Sequence, residues 1–326
     1  MEMISTKIFS VAPMMDWTDT HCRYFMRLLN SDILLYTEMI TADALLFGDK
    51  SKHLKYNDEE HPIALQLGGS DPEKLRQAAI IAADYGYDEI NLNIGCPSDR
   101  VQQGSFGACL MAKPELVSEC VSAIIDSVDI PVTIKTRIGI DDLDSYDFLR
   151  HFIDNVVESG CNRFIIHARK AILSGLSPKE NRTIPPLNYE RVYRLKSDYK
   201  HLHISVNGGI NSLDDCKEHL ALLDGVMIGR FAYHQPWFLY ELRALANSRQ
   251  NKPLTREDIV DKMCIYIESQ IKSGVKLNHI TRHMLGLYSG QPGARAWRRY
   301  LSTHAHIEGA GIEVLQNAKN KLLQAA

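Results

Sequence analysis

The sequence lacks the features that mark several specialised classes of protein. It has no apolar run of about 18 residues, so a membrane-spanning helix is not expected. Its first residues, MEMISTKIFSVAPMM, lack the basic start and the long apolar core of a signal peptide. Its 7 cysteines include no C-x-x-C pair, so neither a zinc site nor a redox dithiol is indicated. We expect a cytoplasmic monomer with reduced thiols, no metal and no membrane segment.

The composition that is present is that of an ordinary globular chain. Apolar residues make up 45% and charged residues 24% of the sequence, the proportions usual for globular proteins. The 326 residues suffice for one large domain and a smaller one, with a sizeable core. The net charge of −3 gives by itself no hint of a polyanionic partner.

Eight strand-like apolar runs alternate with helical patterns along the first three quarters of the chain. The runs are 8–12, 33–36, 63–65, 90–92, 132–134, 164–166, 203–206 and 226–228. This alternation favours a (β/α)8 TIM barrel over an open, doubly wound sheet. No G-x-G-x-x-G follows the first run, which counts against a dinucleotide-binding unit.

The chain changes character after about residue 248. Residues 247–255 are polar and include Pro253, which suits a linker. Helical patterns without strand signals follow at 256–273, 278–287, 294–304 and 312–323. We therefore predict two domains, a barrel over residues 1–247 and a small all-helical domain over residues 248–326.

A polar residue or a glycine follows seven of the apolar runs, and Pro13 with Met14 follows the first. In chain order these residues are Pro13 and Met14, Glu38, Gln66, Asn93, Lys135, His167, Asn207 with Gly208 and Gly209, and Gly229 with Arg230. In a barrel these positions share the carboxyl-terminal rim, where barrel enzymes keep their active sites. The sequence therefore predicts a ring of ligand-binding residues around one pocket.

Two glycine-containing segments of this ring have the pattern of a phosphate site. Asn207-Gly208-Gly209 follows the seventh run, and Gly229-Arg230 follows the eighth. Loops at these two barrel strands commonly bind phosphate through bare peptide N–H groups, here with one guanidinium. The alternative is that the glycines only permit tight turns.

Two cationic or titratable residues of the ring have several possible roles. Lys135 ends an apolar run and must find an anion or reach solvent. It suits a Schiff base, a phosphate anchor or a cation beside an electron-rich ring, and the alternative is an ion pair with Glu38 or Asp16. His167 follows an apolar run, as a buried histidine with hydrogen-bonded ring nitrogens often does. Its position on the rim, however, favours a contact with a ligand.

Cys96 stands between Gly95 and Pro97 at the end of a buried run. A free thiol is mostly protonated at neutral pH. This property suits a proton donor better than a nucleophile, which would need to be ionised. Gly104 and Gly107 in the following loop are expected to let it approach a ligand closely. The other cysteines lie in helical or interior patterns and are expected to be inert.

Acidic and basic residues are unevenly distributed in the carboxyl-terminal region. No Asp or Glu occurs from Ser269 to Ile307. Arg295, Arg298 and Arg299 share one helix face by their spacing, with Trp297 and Tyr300 interleaved. Such an acid-free basic face is typical of nucleic-acid binding, and the alternative is a solvated helix with an aromatic core side.

These motifs resemble those of the tRNA-dihydrouridine synthases, most closely the A-type subfamily, over nearly the whole chain. The matching blocks are APMMDWTD (12–19), ALQLGG (64–69), NLNIGCPSDRVQQGSFGACLM (91–111), IKTRIG (134–139), IHARKA (166–171), GLSPKENR (175–182), NGGI (207–210) and MIGR (227–230). N-x-G-C-P is highly specific to the family. GLSPKENR and PGARAWRRYLS (292–302) indicate the A-type.

The resemblance implies a barrel that binds FMN, receives electrons from NADPH, and reduces D-loop uridines of tRNA around positions 20 and 20a. Cys96 would donate the proton to C5 of the uridine. Asn93 would hold the base, and Lys135 would stabilise the reduced flavin. The implied FMN contacts are Ala12, Pro13, Met14, Gln66, Lys135, His167, Asn207, Gly208, Gly209, Gly229 and Arg230. The implied tRNA contacts are Asn93, Lys179, Arg182, Arg295 and Arg298.

Two other functions are compatible with parts of the pattern. A flavin barrel acting on a free pyrimidine would share the ring, but would not need the basic carboxyl-terminal face. A barrel that binds RNA without chemistry would share that face. It would carry no flavin, and Cys96 would be dispensable.

Overall fold

The computed structural model describes residues 7–245 and 253–325. The predicted linker at 247–255 therefore lies largely outside the described residues. Within the described ranges, no helix is long and apolar enough to cross a membrane.

The described residues form nine strands and fifteen α-helices. The strands are β1 Ile8–Val11, β2 Leu35–Tyr36, β3 Ile40–Thr41, β4 Ile63–Gly68, β5 Glu89–Ile94, β6 Val132–Arg137, β7 Arg163–His167, β8 His203–Asn207 and β9 Gly225–Ile228. The helices are α1 Thr20–Leu29, α2 Ala42–Phe47, α3 Lys50–Leu54, α4 Pro72–Tyr85, α5 Asp99–Gln103, α6 Pro114–Ile125, α7 Tyr146–Glu158, α8 Tyr189–Asp198, α9 Leu213–Leu222, α10 Arg230–His234, α11 Trp237–Glu241, α12 Arg256–Lys272, α13 Leu277–Thr281, α14 Ala294–His304 and α15 Glu313–Gln324. Short 3-10 turns occur at Asp58–Glu60, Gly107–Ala112, Glu180–Arg182 and Leu242–Ala244.

The strands build a parallel barrel, which confirms the predicted fold class. Hydrogen-bonded neighbours run in the order β1-β9-β8-β7-β6-β5-β4-β2, and every pairing is parallel. The first and last of these strands meet where Leu34 accepts from Val11 N at 3.1 Å and donates to Phe9 O at 2.9 Å. The ring of eight strands thereby closes, and β3 adds a short extension beside β4.

Three of the central strands extend further than the apolar runs of the sequence. β4, β5 and β6 each continue beyond the apolar run, so that Gln66, Asn93 and Lys135 lie within strands rather than after them. The ladder continues because these residues still pair, with Asn93 opposite Lys135. A polar side chain at a barrel rim does not interrupt backbone pairing, so apolar patterning alone ends the strands too early.

The chain divides into two compact units. One contains the chain up to Met15 together with Ile33–Gly229, and the other contains Asp16–Asp32 together with the chain from Arg230 onward. Helix α1 belongs to the second unit because it packs on α11, α12 and α13. Within that packing Tyr24 stacks on Tyr266 at a centroid distance of 3.9 Å. The functional division at residue 247 stays a prediction.

The second unit is helical over its described residues. Trp297 of α14 is fully buried and donates from Nε1 to Met284 O at 3.1 Å. Leu301, one turn later, is buried with it. One face of α14 is therefore an apolar core face, and the arginines lie on the opposite, exposed face.

Candidate active site

The backbone around Cys96 is held by hydrogen bonds on both sides. Asn93 Oδ1 accepts from Gly95 N at 3.0 Å and from Cys96 N at 2.9 Å. Cys96 O accepts from Ala108 N at 2.9 Å. The half-buried thiol lies 3.5 Å from Ser98 Oγ. The loop therefore presents a cysteine whose backbone is fixed while its side chain stays accessible.

The two glycines of this loop have packing reasons of their own. Gly107 has a positive φ of 74°, and a Cβ there would lie 2.6 Å from Cys96 O. A Cβ at Gly104 would lie 2.4 Å from the Phe106 ring. Both glycines therefore let the loop fold back on itself, and their expected role in approaching a ligand stays a prediction.

A chain of buried amides runs from Asn93 across the barrel interior. Asn93 Nδ2 donates to Gln66 Oε1 at 2.8 Å, and Gln66 Nε2 donates to Asn91 Oδ1 at 2.7 Å. Asn91 in turn donates to Thr133 Oγ1 at 2.8 Å, and Thr133 donates to Glu89 Oε1 at 2.6 Å. All these bonds have one direction, so the orientations of the Asn93 and Gln66 amides are fixed together.

Lys135 lies within β6, two residues before its end, and has no partner among the described residues. Burial, followed by repulsion from Arg137, lowers the pKa of its ammonium to about 8, while the charge of Cys96 acts in the opposite direction. Its ammonium makes no ion pair or hydrogen bond with any residue that the structure describes. The alternative of an ion pair with Glu38 or Asp16 is therefore not formed, and the site offers a desolvated cation to an anionic ligand.

His167 is buried at the end of β7 and is neutral at physiological pH. Burial lowers its pKa well below the ordinary value, and repulsion from Arg137 and Lys135 adds to this effect. A Cβ at Gly208 would lie 2.6 Å from the His167 ring, so the imidazole covers the start of the loop after β8. A neutral imidazole here can donate from one nitrogen and accept at the other.

The loops after β8 and β9 carry free peptide donors. The N–H groups of Gly208, Gly209 and Gly229 donate to no acceptor within the described chain. Asn207 fixes the neighbouring strand by donating from Nδ2 to Met227 O at 2.7 Å. The start of α9, in contrast, is already capped by Asp215, which accepts from Asn211 N and Ser212 N. The glycine amides therefore offer donors to a phosphate, whereas the start of α9 already carries the carboxylate of Asp215.

The remaining residues expected to bind a cofactor lie beside these. Ala12 is buried and donates from N to Ile228 O at 2.8 Å, which ties the end of β1 to β9. Pro13 and Met14, next along the chain, are half-buried. Arg230 is half-buried, follows Gly229 directly and begins α10, which belongs to the second unit.

The predicted RNA-contacting residues fall in two separate places. Lys179 and Arg182 are exposed on the long loop after β7, beside the fully buried Asn181. Arg295 and Arg298 are exposed on α14 in the second unit, together with Arg299. Of the two aromatic residues interleaved in the sequence, Trp297 belongs to the core rather than to this face and is not available for stacking on bases.

Sequence reasoning missed several residues that organise the site. Arg137 is buried and donates to carbonyl groups of distant segments. Asn181 is buried and donates to Ile172 O within its own loop, and Gln102 links two loops. Glu89 terminates the amide chain. Glu89 directly precedes the predicted run 90–92, and Arg137 follows the predicted site residue Lys135 by two positions, so both could have attracted attention. The partners of Gln102 and Asn181 have no local signal in the sequence.

The other thiols differ from Cys96 in their surroundings. Burial raises the pKa of Cys120, Cys161 and Cys216 to about 12 and also raises the pKa of Cys109 and Cys264. These thiols are therefore held in the neutral form. Within the described ranges no group of three or more His, Cys, Asp or Glu side chains is placed to hold a metal ion.

The flavin expected from the sequence fits these residues. The three free glycine amides suit a phosphate, and the unpaired Lys135 ammonium suits an electron-rich ring that gains negative charge. The barrel carries a ring of hydrogen-bond donors and a thiol at its carboxyl-terminal rim. This arrangement places the protein among the barrel enzymes that act on a substrate beside a bound cofactor.

Comparison with known proteins narrows this class to one family. The sequence profile of the family described as "Dihydrouridine synthase (Dus)" matches residues 10–325. The chain therefore belongs to the dihydrouridine synthase family, which confirms both the predicted family and the prediction that it is an oxidoreductase.

Individual relatives agree with this assignment. A protein of Shewanella oneidensis named tRNA-dihydrouridine(20/20a) synthase is 61% identical over 312 residues, covering 96% of this chain and 93% of that protein. Proteins of the same name from Vibrio vulnificus and Escherichia coli K12 are each 60% identical, over 316 and 311 residues. The first alignment covers 97% of both chains, and the second covers 95% of this chain and 90% of the relative. These identities confirm the A-type subfamily.

Proposed function

We propose that this protein reduces the C5–C6 double bond of uridines at positions 20 and 20a in the D-loop of tRNA, with FMN as cofactor and NADPH as reductant. The relatives named for this reaction align over nearly the whole chain. The observation that carries the proposal is the accessible Cys96 thiol on a fixed loop, in the same rim as an unpaired cation and free peptide donors.

The cofactor would be held by residues of the barrel rim. Gly208, Gly209 and Gly229 would donate to its phosphate, and Arg230 would add a guanidinium. Ala12, Pro13, Met14 and Gln66 would contact its ring system, with His167 and Asn207 beside the phosphate loop. When bound, FMN would supply the hydride, received from NADPH, that adds to C6 of the uridine. Lys135 would face the ring and favour its negatively charged reduced form.

The chain itself would supply the proton. Cys96 Sγ donates its proton to C5 of the uridine and becomes a thiolate. Hydride and proton together saturate the double bond without a further reactant. Asn93 already uses its carboxamide oxygen for the Cys96 loop, so it would meet the base through its amino group.

The substrate would have to leave its stack to reach the rim. An enzyme that acts on a base commonly extrudes it from the RNA and reads it in a pocket. Lys179 and Arg182 on the β7 loop, and Arg295 and Arg298 on α14, would bind phosphates of the tRNA. Such an enzyme works where tRNA is processed, and we expect it in the cytoplasm as a monomer.

The test is the variant Cys96→Ala. We expect it to retain FMN and to be reduced by NADPH at the wild-type rate, since the thiol takes no part in these steps. Formation of dihydrouridine should fall by roughly 10²- to 10⁴-fold, the usual range for a lost general acid. Cys109→Ala, which changes a thiol outside the site, serves as the control. Full dihydrouridine formation by Cys96→Ala would contradict the assigned proton donor.

A further inference from the structure

The guanidinium of Arg137 occupies an unusual position for a cation. Its side chain is buried, with 3% exposure, at the end of β6. No carboxylate pairs with it in the part of the chain that the structure describes. Burial lowers its pKa to about 10, so it remains charged at neutral pH. A buried charge is costly unless hydrogen bonds satisfy it, and Arg137 is satisfied by carbonyl groups alone.

The carbonyl groups that it contacts belong to two loops of the candidate site. Arg137 Nε donates to Gly95 O at 2.8 Å. Its Nη1 donates to Lys170 O at 3.0 Å and to Asn181 O at 3.1 Å. Gly95 O and Cys96 N belong to the same peptide group, and Asn181 O belongs to the peptide that precedes Arg182. One side chain thus holds the peptides that lead into the thiol and into the predicted RNA contact.

The Gly95–Cys96 peptide is consequently fixed at both of its polar atoms. Its oxygen accepts from Arg137, and its N–H donates to Asn93 Oδ1 at 2.9 Å. Rotation of this peptide would break both bonds. The position of the Cys96 side chain depends directly on this peptide, because the Cα that carries it is bonded to the peptide nitrogen.

Gln102 makes a second tie between the same two loops. Its Nε2 donates to Pro97 O at 2.9 Å and to Leu173 O at 2.8 Å. The consecutive carbonyl groups of Gly95, Cys96 and Pro97 are therefore all accepting hydrogen bonds. The β7 loop is braced on its own side by the fully buried Asn181, which donates from Nδ2 to Ile172 O and accepts from Ile172 N.

We propose that Arg137 and Gln102 are positioning residues. Together they hold the Cys96 thiol at a fixed position relative to the β7 loop that carries Lys179 and Arg182. The pair acts through the backbone and takes no part in proton transfer. This inference rests on the proposed function of Cys96 as proton donor. Lysine cannot replace Arg137, because an ammonium on a flexible stem cannot reproduce the planar fork that reaches both loops.

The experiment is a double-mutant cycle on the FMN-containing protein with Arg137→Lys and Cys96→Ala. Arg137→Lys alone should leave reduction by NADPH unchanged within about twofold. It should slow the tRNA-dependent reoxidation of the reduced protein by roughly 10²-fold, the cost of misplacing a catalytic group by about 1 Å. In the Cys96→Ala background the same substitution should change the reoxidation rate by less than about twofold, because its effect passes through the thiol. An equal slowing in both backgrounds would overturn the proposal.

A second measurement does not depend on turnover. The rate at which iodoacetamide alkylates Cys96 without tRNA should change severalfold in Arg137→Lys, and should be unchanged in Arg150→Lys on the exposed surface of α7. If Arg137→Lys does not fold, Gln102→Met is carried through the same cycle and alkylation assay, with a smaller effect expected. Additive slowing by Gln102→Met with unchanged alkylation would then refute the pair. Full activity of Cys96→Ala would instead refute the proposed function.

Discussion

Replacing Lys135 by methionine should make the FMN-free protein more stable and should lower the activity of the FMN-loaded enzyme. The pKa of this ammonium falls from its ordinary 10.5 to about 8. Since one pKa unit corresponds to about 1.4 kcal/mol, keeping the charge in the folded state costs up to about 3 kcal/mol at pH 7. Methionine is similar in length and apolar, so Lys135→Met should raise the free energy of unfolding by about 1–3 kcal/mol.

The pH dependence of this difference has a definite sign. Below pH 8 the lysine is protonated in both the folded and the unfolded state, and its cost is constant. Between about pH 8 and pH 10.5 the unfolded state binds more protons, so the stability of the wild type rises with pH. The advantage of Lys135→Met should therefore shrink over this interval and disappear above it.

The assay is urea unfolding of the FMN-free wild type and variant, followed by tryptophan fluorescence from pH 7 to pH 10. Dihydrouridine formation by the FMN-loaded variant is measured in parallel and should fall, since no cation faces the ring. A variant that is less stable at pH 7, or a stability difference that does not change with pH, would refute the view of Lys135 as a desolvated cation kept for function.

Two further substitutions test other parts of the site. Gly208→Ala should weaken FMN binding by tenfold or more in an FMN titration, because the backbone has a φ of 107° and the added Cβ would lie 2.6 Å from His167. FMN binding at wild-type strength would contradict the phosphate loop. Arg295→Ala with Arg298→Ala should weaken tRNA binding and reduce its salt dependence, with Arg150→Ala as control. An unchanged salt slope would make the α14 face a solvated surface only.

The main strands and the longer helices could be predicted from the sequence because their patterns are local. The sequence predicts helices over 146–158 and 294–304, and α7 and α14 begin and end at these residues, since each shows an apolar face over several turns. The short α2, α3 and α5 and the two-residue β3 are too short to show any periodicity, and they were missed. The sequence also predicts a helix over 19–29, which α1 confirms, but the membership of α1 in the second unit depends on packing that periodicity does not encode.

The residues of the site could be recognised by type, but not by partner. Asn93 and Gln66 stand out as polar residues in apolar runs, yet the sequence gives no sign that their amides bond to each other. Arg137 reaches Asn181 across 44 positions, and a contact of that separation has no local signature. Trp297 could have been assigned to the core, because Leu301 follows it at the spacing of one helical turn.

The most direct test of the central claim is the reaction itself. Purified protein loaded with FMN is incubated with NADPH and with unmodified tRNA, and nuclease fragments containing positions 20 and 20a are analysed by mass spectrometry. We predict that uridines at these positions gain two hydrogen atoms with the wild type and remain unchanged with Cys96→Ala. Unmodified uridines with the wild type, in a protein that binds FMN and consumes NADPH, would contradict the account.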